Sequence, residues 1–348
     1  MNEAKLHEFM GKVVTDMGGA WMMAAVLIGD ELGLYKAMAD GTSVTADALA
    51  KRCRCNPRLV REWLDANAAS GYVEATGNGY RLPAEQAMAL ANEESPVFVA
   101  PGQSVVASCF MDLDKIIKAF RGNGAFPWSE HHHRMFHGVE KFFRPGYQAH
   151  LTTAWLPALD GVVEKLQRGG KVADVGCGHA ASTIIMARAY PNSRFVGIDF
   201  HAPSIEVAGK RAAEAGLGTR VNFITATAQN YTERNFDLVC FFDCLHDMGD
   251  PVGAARHAKQ ALKDDGTVML VEPFACNSLG DNSTPVGRLY YAASTMVCTP
   301  NSLSQEVGRA LGAQAGEEQL RKVFEEAGFT RFRRATETPF NLILEARK

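Results

Sequence analysis

The spacing of apolar residues changes twice along this chain, and each change marks a different kind of structure. Over the first forty positions Leu6, Phe9, Met10, Val13, Val14 and Met17, then Trp21 to Leu34, recur every three to four residues, which predicts helix. Little in the neighbouring sequence can cover that face, so a second copy of the chain is expected to do so. From Thr45 the pattern predicts a short helix over 46–52 and a second opened by Asn56-Pro57, with Asn as N-cap and Pro at the first helical position. Leu59, Val60, Trp63, Leu64 and Ala68 give that second helix one apolar face, and Gly71 stops it. Tyr72 to Ala75, the turn Asn78-Gly79 and Tyr80 to Leu82 read as a hairpin, and helix, helix, hairpin is a winged helix.

Residues 95–165 read as a mostly helical bridge, punctuated by Gly122-Asn-Gly124 and Pro127. Beyond it, short apolar runs alternate with helical patterns. Strands are expected at 171–175, 194–198, 221–225, 236–242 and 267–271, the last after a turn at Asp264-Asp265-Gly266. Helices are expected from Ser182 to near Pro191, over 203–215, from Asp250-Pro251 onward and over 320–327. A final hairpin pairs 331–336 with 341–346. The expected class is therefore α/β, a Rossmann-like parallel sheet with a terminal antiparallel hairpin, behind a mostly helical winged-helix domain. The division is 1–94, 95–165 and 166–348, with an insertion at about 273–316 carrying helical pieces around 287–296 and 304–313.

Composition narrows the partners. With 348 residues, 47% hydrophobic and 22% charged, the chain can bury cores for two ordinary domains. A net charge of −3 gives no general attraction to nucleic acid or anionic membrane. Six basic residues face four acidic ones between Val44 and Leu82, and Arg58 and Arg61 stand beside Glu62 and Asp65, whereas duplex binders present a consistently basic face. Eight cysteines without C-x-x-C spacing, no signal peptide and no apolar run of spanning length lead to a cytoplasmic expectation, with no membrane partner.

The chemistry centres on Asp174-Val-Gly176-Cys177-Gly178-His-Ala-Ala-Ser182, a buried strand entering a glycine turn and a helix. Gly176 and Gly178 let the backbone approach a ligand, and the helix start offers free N–H groups. The glycines also satisfy the fingerprint of nicotinamide-binding domains. Asp174 decides between them, because a carboxylate there suits an ammonium group and not a pyrophosphate. The stretch resembles motif I of class I S-adenosylmethionine-dependent methyltransferases, D-x-G-x-G-x-G, with Ala180 at the last glycine. The winged helix, the bridge and the sheet follow the order of small-molecule O-methyltransferases of that class, a layout shared with bacterial proteins sometimes labelled transcriptional regulators.

That resemblance implies S-adenosylmethionine as cofactor, S-adenosylhomocysteine as product, a seven-stranded sheet and a homodimer built on the N-terminal helices. Asp199, 25 residues after Asp174, is expected at the ribose, and Cys177, Phe200, Thr227, Ala228, Asp243 and Tyr147 join Asp174, Gly176 and Gly178 around the cofactor. Asp243-Cys-Leu-His246-Asp247-Met-Gly-Asp250 resembles the family's H-D-W-x-D stretch, making His246 the general base, with Asp247 and Glu272 beside it. Arg144, Tyr290 and Tyr291 are the candidate contacts to a small hydroxyl, thiol or thioether acceptor. His131, His132, His133 and His137 read as a polar cluster at a pocket mouth or interface, and no metal is expected. The competing readings are a DNA-binding regulator that senses S-adenosylmethionine or another ligand, and a nicotinamide-dependent oxidoreductase.

Overall fold

The computed structural model describes residues 1–348. Two compact units emerge, one made of residues 1–110 with 133–146 and the other of residues 111–132 with 147–348. The expected bridge thus belongs to no unit of its own. Glycines explain part of that division: a Cβ on Gly102 would meet the Phe142 ring at 2.7 Å, and one on Gly138 would meet Ser104 and Val105 at 3.0 Å, so these helices pack at close range.

In the first unit, helix α1 (Glu3–Glu31) is capped by the Asn2 side chain, which accepts from the Lys5 N–H at 3.1 Å. Its C-terminal half packs on the winged helix through Val26 and Gly29, and Met22 is buried too. Gly29 leaves room for the Trp63 and Tyr35 rings, each of which a Cβ there would meet at 2.5 Å. Leu6, Phe9, Met10, Val14, Met17 and Trp21 are exposed, Trp21 at 78%. By length and hydropathy alone this helix is long and apolar enough to cross a membrane.

Helices α2 (Ala46–Cys53) and α3 (Pro57–Ala69) follow as the pattern predicts, with Asn56 accepting from Arg58 and Leu59 N–H groups. Strands β1 (Glu74–Thr76) and β2 (Gly79–Arg81) form the wing.

The second unit holds seven strands: β3 (Lys171–Val175), β4 (Arg194–Asp199), β5 (Val221–Thr225), β6 (Phe236–Phe242), β7 (Leu262–Pro273), β8 (Arg331–Glu337) and β9 (Asn341–Arg347). Their spatial order is β5-β4-β3-β6-β7-β9-β8. The pairs from β5 to β7 are parallel, and the β7–β9 and β8–β9 pairs are antiparallel, as the terminal hairpin requires. All seven residues of β6 are buried, the signature of a strand covered on both faces. The chain reverses its direction of strand addition between β3 and β6, which opens a crevice at their carboxyl ends.

Two expectations are corrected. The turn at Asp264–Gly266 is instead a bulge inside one long β7, where Leu262 pairs with Phe236 and Thr267 with Leu238. In the insertion, helix runs without a break through Pro285–Ala293, a π-helical turn Ser294–Cys298 and Thr299–Leu303. Residues 304–313, expected as helix, are then irregular. Val307, Gly308, Ala310 and Gly312 all have positive φ there, a conformation that no right-handed helix accommodates.

Candidate active site

Asp174 lies on β3, 1% exposed, opposite Cys240 of β6 and Gly197 of β4. Its Oδ2 accepts from Ser182 Oγ at 2.7 Å and Thr183 Oγ1 at 2.5 Å, while Oδ1 is buried with no hydrogen-bond partner. Burial drives its pKa from 3.8 to about 6 against the pull of those two hydroxyls. An orphaned carboxylate oxygen beside a glycine turn is what an ammonium ligand would complete. The turn itself is tight. Gly176 has φ +79°, and a Cβ there would meet Cys244 Sγ at 2.7 Å. Ala180 adopts φ +65°, which explains why the related motif carries glycine at that position.

Asp199, at the end of β4, accepts from the Gly178 N–H at 2.9 Å and the His201 N–H at 2.8 Å, which ties the β4 end to the glycine turn. Desolvation raises its pKa despite both bonds. Phe200, next along, exposes 51% of its surface. Thr227 is exposed with its N–H given to Asn230, and Ala228 is packed in the core.

His246 sits in the turn after β6, 4% exposed, and its Nδ1 faces Glu272 Oε2 in a short hydrogen bond. Glu272 Oε1 accepts from the Leu245 N–H at 3.0 Å, so the carboxylate is fixed from both sides. Burial opposes a charge on the imidazole, yet Glu272, with the Cys298 thiol, holds its pKa well above 6.5. Nδ1 is thereby committed to Glu272, and the ring makes a second side-chain hydrogen bond to Cys298, which a hydroxyl approaching Nε2 would have to replace.

Asp243 has φ +50° and anchors two elements, its Oδ2 accepting from Tyr147 OH at 2.8 Å and its Oδ1 from Asn341 Nδ2 at 2.9 Å. Enclosure by protein and then Glu272 raise its pKa to about 7, and enclosure does the same for Asp247.

The structure brings Asp174, Gly176, Cys177, Gly178, Asp199, Asp243, Tyr147, His246, Asp247 and Glu272 onto the carboxyl edge of one sheet and its adjoining helix. Tyr290 is buried with its hydroxyl donated to the Phe340 carbonyl at 2.9 Å, so that hydroxyl is already engaged; Tyr291 is half-buried, its hydroxyl 3.4 Å from Asn282 Nδ2. Arg144 belongs to the other unit and pairs with Glu140 one turn earlier, at 3.5 Å. The histidines do not gather: His131 Nδ1 pairs with Asp112 Oδ2 at 3.1 Å, and no three His, Cys, Asp or Glu side chains come together as a metal site. On α3, Arg58 pairs with Glu62 at 2.5 Å, which neutralises one of the basic groups there, and Asp65 accepts from Tyr80 OH.

Sequence reasoning missed Asn341, Asn301 and Gln305. Asn301 accepts from the Trp128 N–H at 3.0 Å and donates to the Asp247 carbonyl at 3.2 Å; Gln305 accepts from the Gly249 N–H and donates to the Asp247 carbonyl. They clamp the insertion onto the His246 turn. Their contacts reach residues far away in sequence, so no local pattern would have found them.

A glycine-turn cradle on β3, an acidic end on β4 and an antiparallel terminal hairpin define the class I methyltransferase architecture. Residues 166–328 match the family model described as a methyltransferase domain, and residues 20–92 match an Rv2258c-like winged HTH domain. The winged-HTH match thus precedes the methyltransferase-domain match along one chain.

Among curated proteins, the ubiquinone biosynthesis O-methyltransferase of Actinobacillus pleuropneumoniae is 36% identical over 105 residues, 29% of this chain and 44% of that protein. The match thus spans under half the length of that relative. Among solved structures, a candidate O-methyltransferase of Nostoc punctiforme superposes with TM-score 0.74 at 22% identity, covering 97% of this chain and 99% of that one. Human N-acetylserotonin methyltransferase in complex with SAM gives 0.68 at 16% identity, covering 97% of each chain. At these identities the two structures establish likeness of fold.

Proposed function

We propose that this protein is an S-adenosylmethionine-dependent methyltransferase that acts on a hydroxyl of a small molecule, with a thiol or thioether as the other acceptor types. The observation that carries the reading is the His246–Glu272 pair on the same strand edge as the orphaned Asp174 carboxylate. It is supported by the methyltransferase domain match and by a curated relative named as an O-methyltransferase.

S-Adenosylmethionine, when bound, supplies an electrophilic methyl group on a sulfonium that leaves as the neutral thioether of S-adenosylhomocysteine. Asp174 Oδ1 receives the ammonium group, Asp199 the ribose hydroxyls, and the N–H groups of Gly176, Cys177 and Gly178 line the approach. Phe200, Thr227 and Ala228 border the adenine, and Asp243, held by Tyr147 and Asn341, closes the methionine side. His246 Nε2 takes the hydroxyl proton as the new oxygen–carbon bond forms, and Glu272 stabilises the imidazolium that results. Asp247 fixes the turn. Tyr290 and Tyr291 border the acceptor, their rings offering apolar surface. The exposed stripe on α1 pairs two copies into a homodimer, and the protein works in the cytoplasm on small molecules without binding nucleic acid.

The test combines calorimetric titration with S-adenosylmethionine, S-adenosylhomocysteine and NAD(H) with methyl transfer by the His246→Ala variant. Both adenosyl ligands are expected to bind, and the variant to keep that affinity while losing roughly 10²- to 10⁴-fold in turnover. Binding of NAD(H) alone would overturn the cofactor, and unchanged turnover the base.

A further inference from the structure

The insertion carries a thiol to the His246 ring. Cys298 ends the π-helical turn Ser294–Cys298, a form that widens the helix locally and occurs mostly at functional sites. The segment around it is fastened to the His246 turn at several points. Asn301 Nδ2 donates to the Asp247 carbonyl at 3.2 Å, Ser302 Oγ to the Met248 carbonyl at 2.8 Å, and the Gly312 N–H to the His246 carbonyl at 3.2 Å. Held in this way and 8% exposed, Cys298 makes its side-chain hydrogen bond to the imidazole whose Nδ1 is taken by Glu272.

Thiol, imidazole and carboxylate in that order are the parts of an activated nucleophile: a group that gives up a proton, a base within reach of it, and a third group that orients the base. Glu272 is itself fixed by the Leu245 N–H at 3.0 Å, and it makes the ring a stronger base. Methyl transfer uses the imidazole and the carboxylate and leaves the thiol without a task. Other thiols of the chain are placed differently. Cys53, Cys55, Cys177 and Cys244 donate to main-chain carbonyls, which take no proton.

We propose that Cys298 is a nucleophilic thiol, alkylated by small uncharged α,β-unsaturated carbonyl compounds that reach His246. The new S–C bond forms at the β-carbon, and the electron pair of the carbon–carbon π bond forms a C–H bond at the α-carbon. The thiol proton passes by way of His246 to that carbon, so no group leaves and no oxidant is needed. On the methyl-transfer reading, the adduct fills the side of the ring that an acceptor hydroxyl must reach. The thiol chemistry itself depends on Glu272, His246 and Cys298 and not on which cofactor binds.

The experiment exposes the full chain to acrylamide at neutral pH and follows the labelling rate of each cysteine by peptide mass mapping. Cys298 is expected to react roughly tenfold faster than Cys53 and Cys55, although both are more exposed. Glu272→Gln should slow Cys298 several-fold and His246→Gln by roughly tenfold or more, with Cys53 and Cys55 unchanged and urea midpoints showing that each variant is folded.

Labelling of Cys298 no faster than that of Cys53 and Cys55 overturns the proposal, and so do equal Cys298 rates in the wild type and both folded variants. The wild-type order decides alone if a variant does not fold. Failure of S-adenosylmethionine to bind would remove the methyl-transfer reading and leave this proposal standing.

Discussion

Replacing Asp174 with asparagine separates what the residue costs the fold from what it gives the ligand. The carboxyl is raised from 3.8 to about 6, chiefly by burial. A carboxyl with a raised pKa in the folded state destabilises the protein above its unfolded value: the penalty begins near pH 4 and is complete above about pH 6. At roughly 1.4 kcal/mol per pH unit, the interval corresponds to about 3 kcal/mol.

Asparagine is isosteric, keeps an oxygen for Ser182 and Thr183, and cannot ionise. Its amide N–H groups would occupy the position of the unpartnered Oδ1, at a cost of about 1–2 kcal/mol. Ligand-free Asp174→Asn is therefore expected to be more stable than the wild type by about 1–2 kcal/mol at pH 8, and to lose that advantage at pH 4. Saturating S-adenosylmethionine should reverse the order at pH 8, since only the wild type gains binding free energy there.

Urea unfolding at the two pH values, with and without ligand, measures all four quantities. A ligand-free variant less stable than the wild type at pH 8, or one that binds S-adenosylmethionine as well as the wild type does, would refute the reasoning.

Three further outcomes are expected. Glu272→Gln removes the charge that holds the His246 pKa above 6.5, so the limb of kcat/KM that rises with pH should move to lower pH; an unmoved limb excludes the pairing as its cause. Gly176→Ala forces alanine into φ +79° and sets its Cβ 2.7 Å from Cys244 Sγ, which together should cost about 2–4 kcal/mol in urea unfolding and weaken the binding of S-adenosylmethionine, whereas a wild-type midpoint would mean the turn relaxes freely. Val14→Asp with Trp21→Asp places two charges on the exposed stripe of α1 and should give monomers in sedimentation; an unchanged dimer would locate the interface elsewhere.

The strands were legible because parallel strands covered on both faces read as uninterrupted apolar runs: β3, β4 and β6 fall where the sequence puts them. The glycine turn, the acidic end of β4 and the terminal hairpin were legible for a similar reason, since each depends on one residue type at one place. The bulge in β7 was not, because Asp264-Asp265-Gly266 carries the chemistry of a turn whether or not the chain reverses there. Residues 304–313 were not legible either, because Val307, Gly308, Ala310 and Gly312 take positive φ and the N–H groups of Arg309, Ala310, Gly312 and Ala313 bond to the Gly249 and His246 carbonyls and the Ser302 and Ser294 hydroxyls, none of them helical partners. Asn341 reaches Asp243 only because β9 lies beside β7, a relation set by sheet order and not by local sequence.

Gly29 has a consequence for the opposite end of its helix. Wedged against Trp63 and Tyr35, it fixes the rotation of α1 about its own axis, and every residue before it inherits that setting at about 100° per position. The exposed stripe from Leu6 to Trp21 occupies a different side of the cylinder from Met22, Val26 and Gly29. The helix thus works as a keyed shaft. One residue inserted between Trp21 and Gly29 would turn the whole stripe through more than a quarter of a revolution, while seven would return it almost to its starting bearing, about one helical heptad farther out.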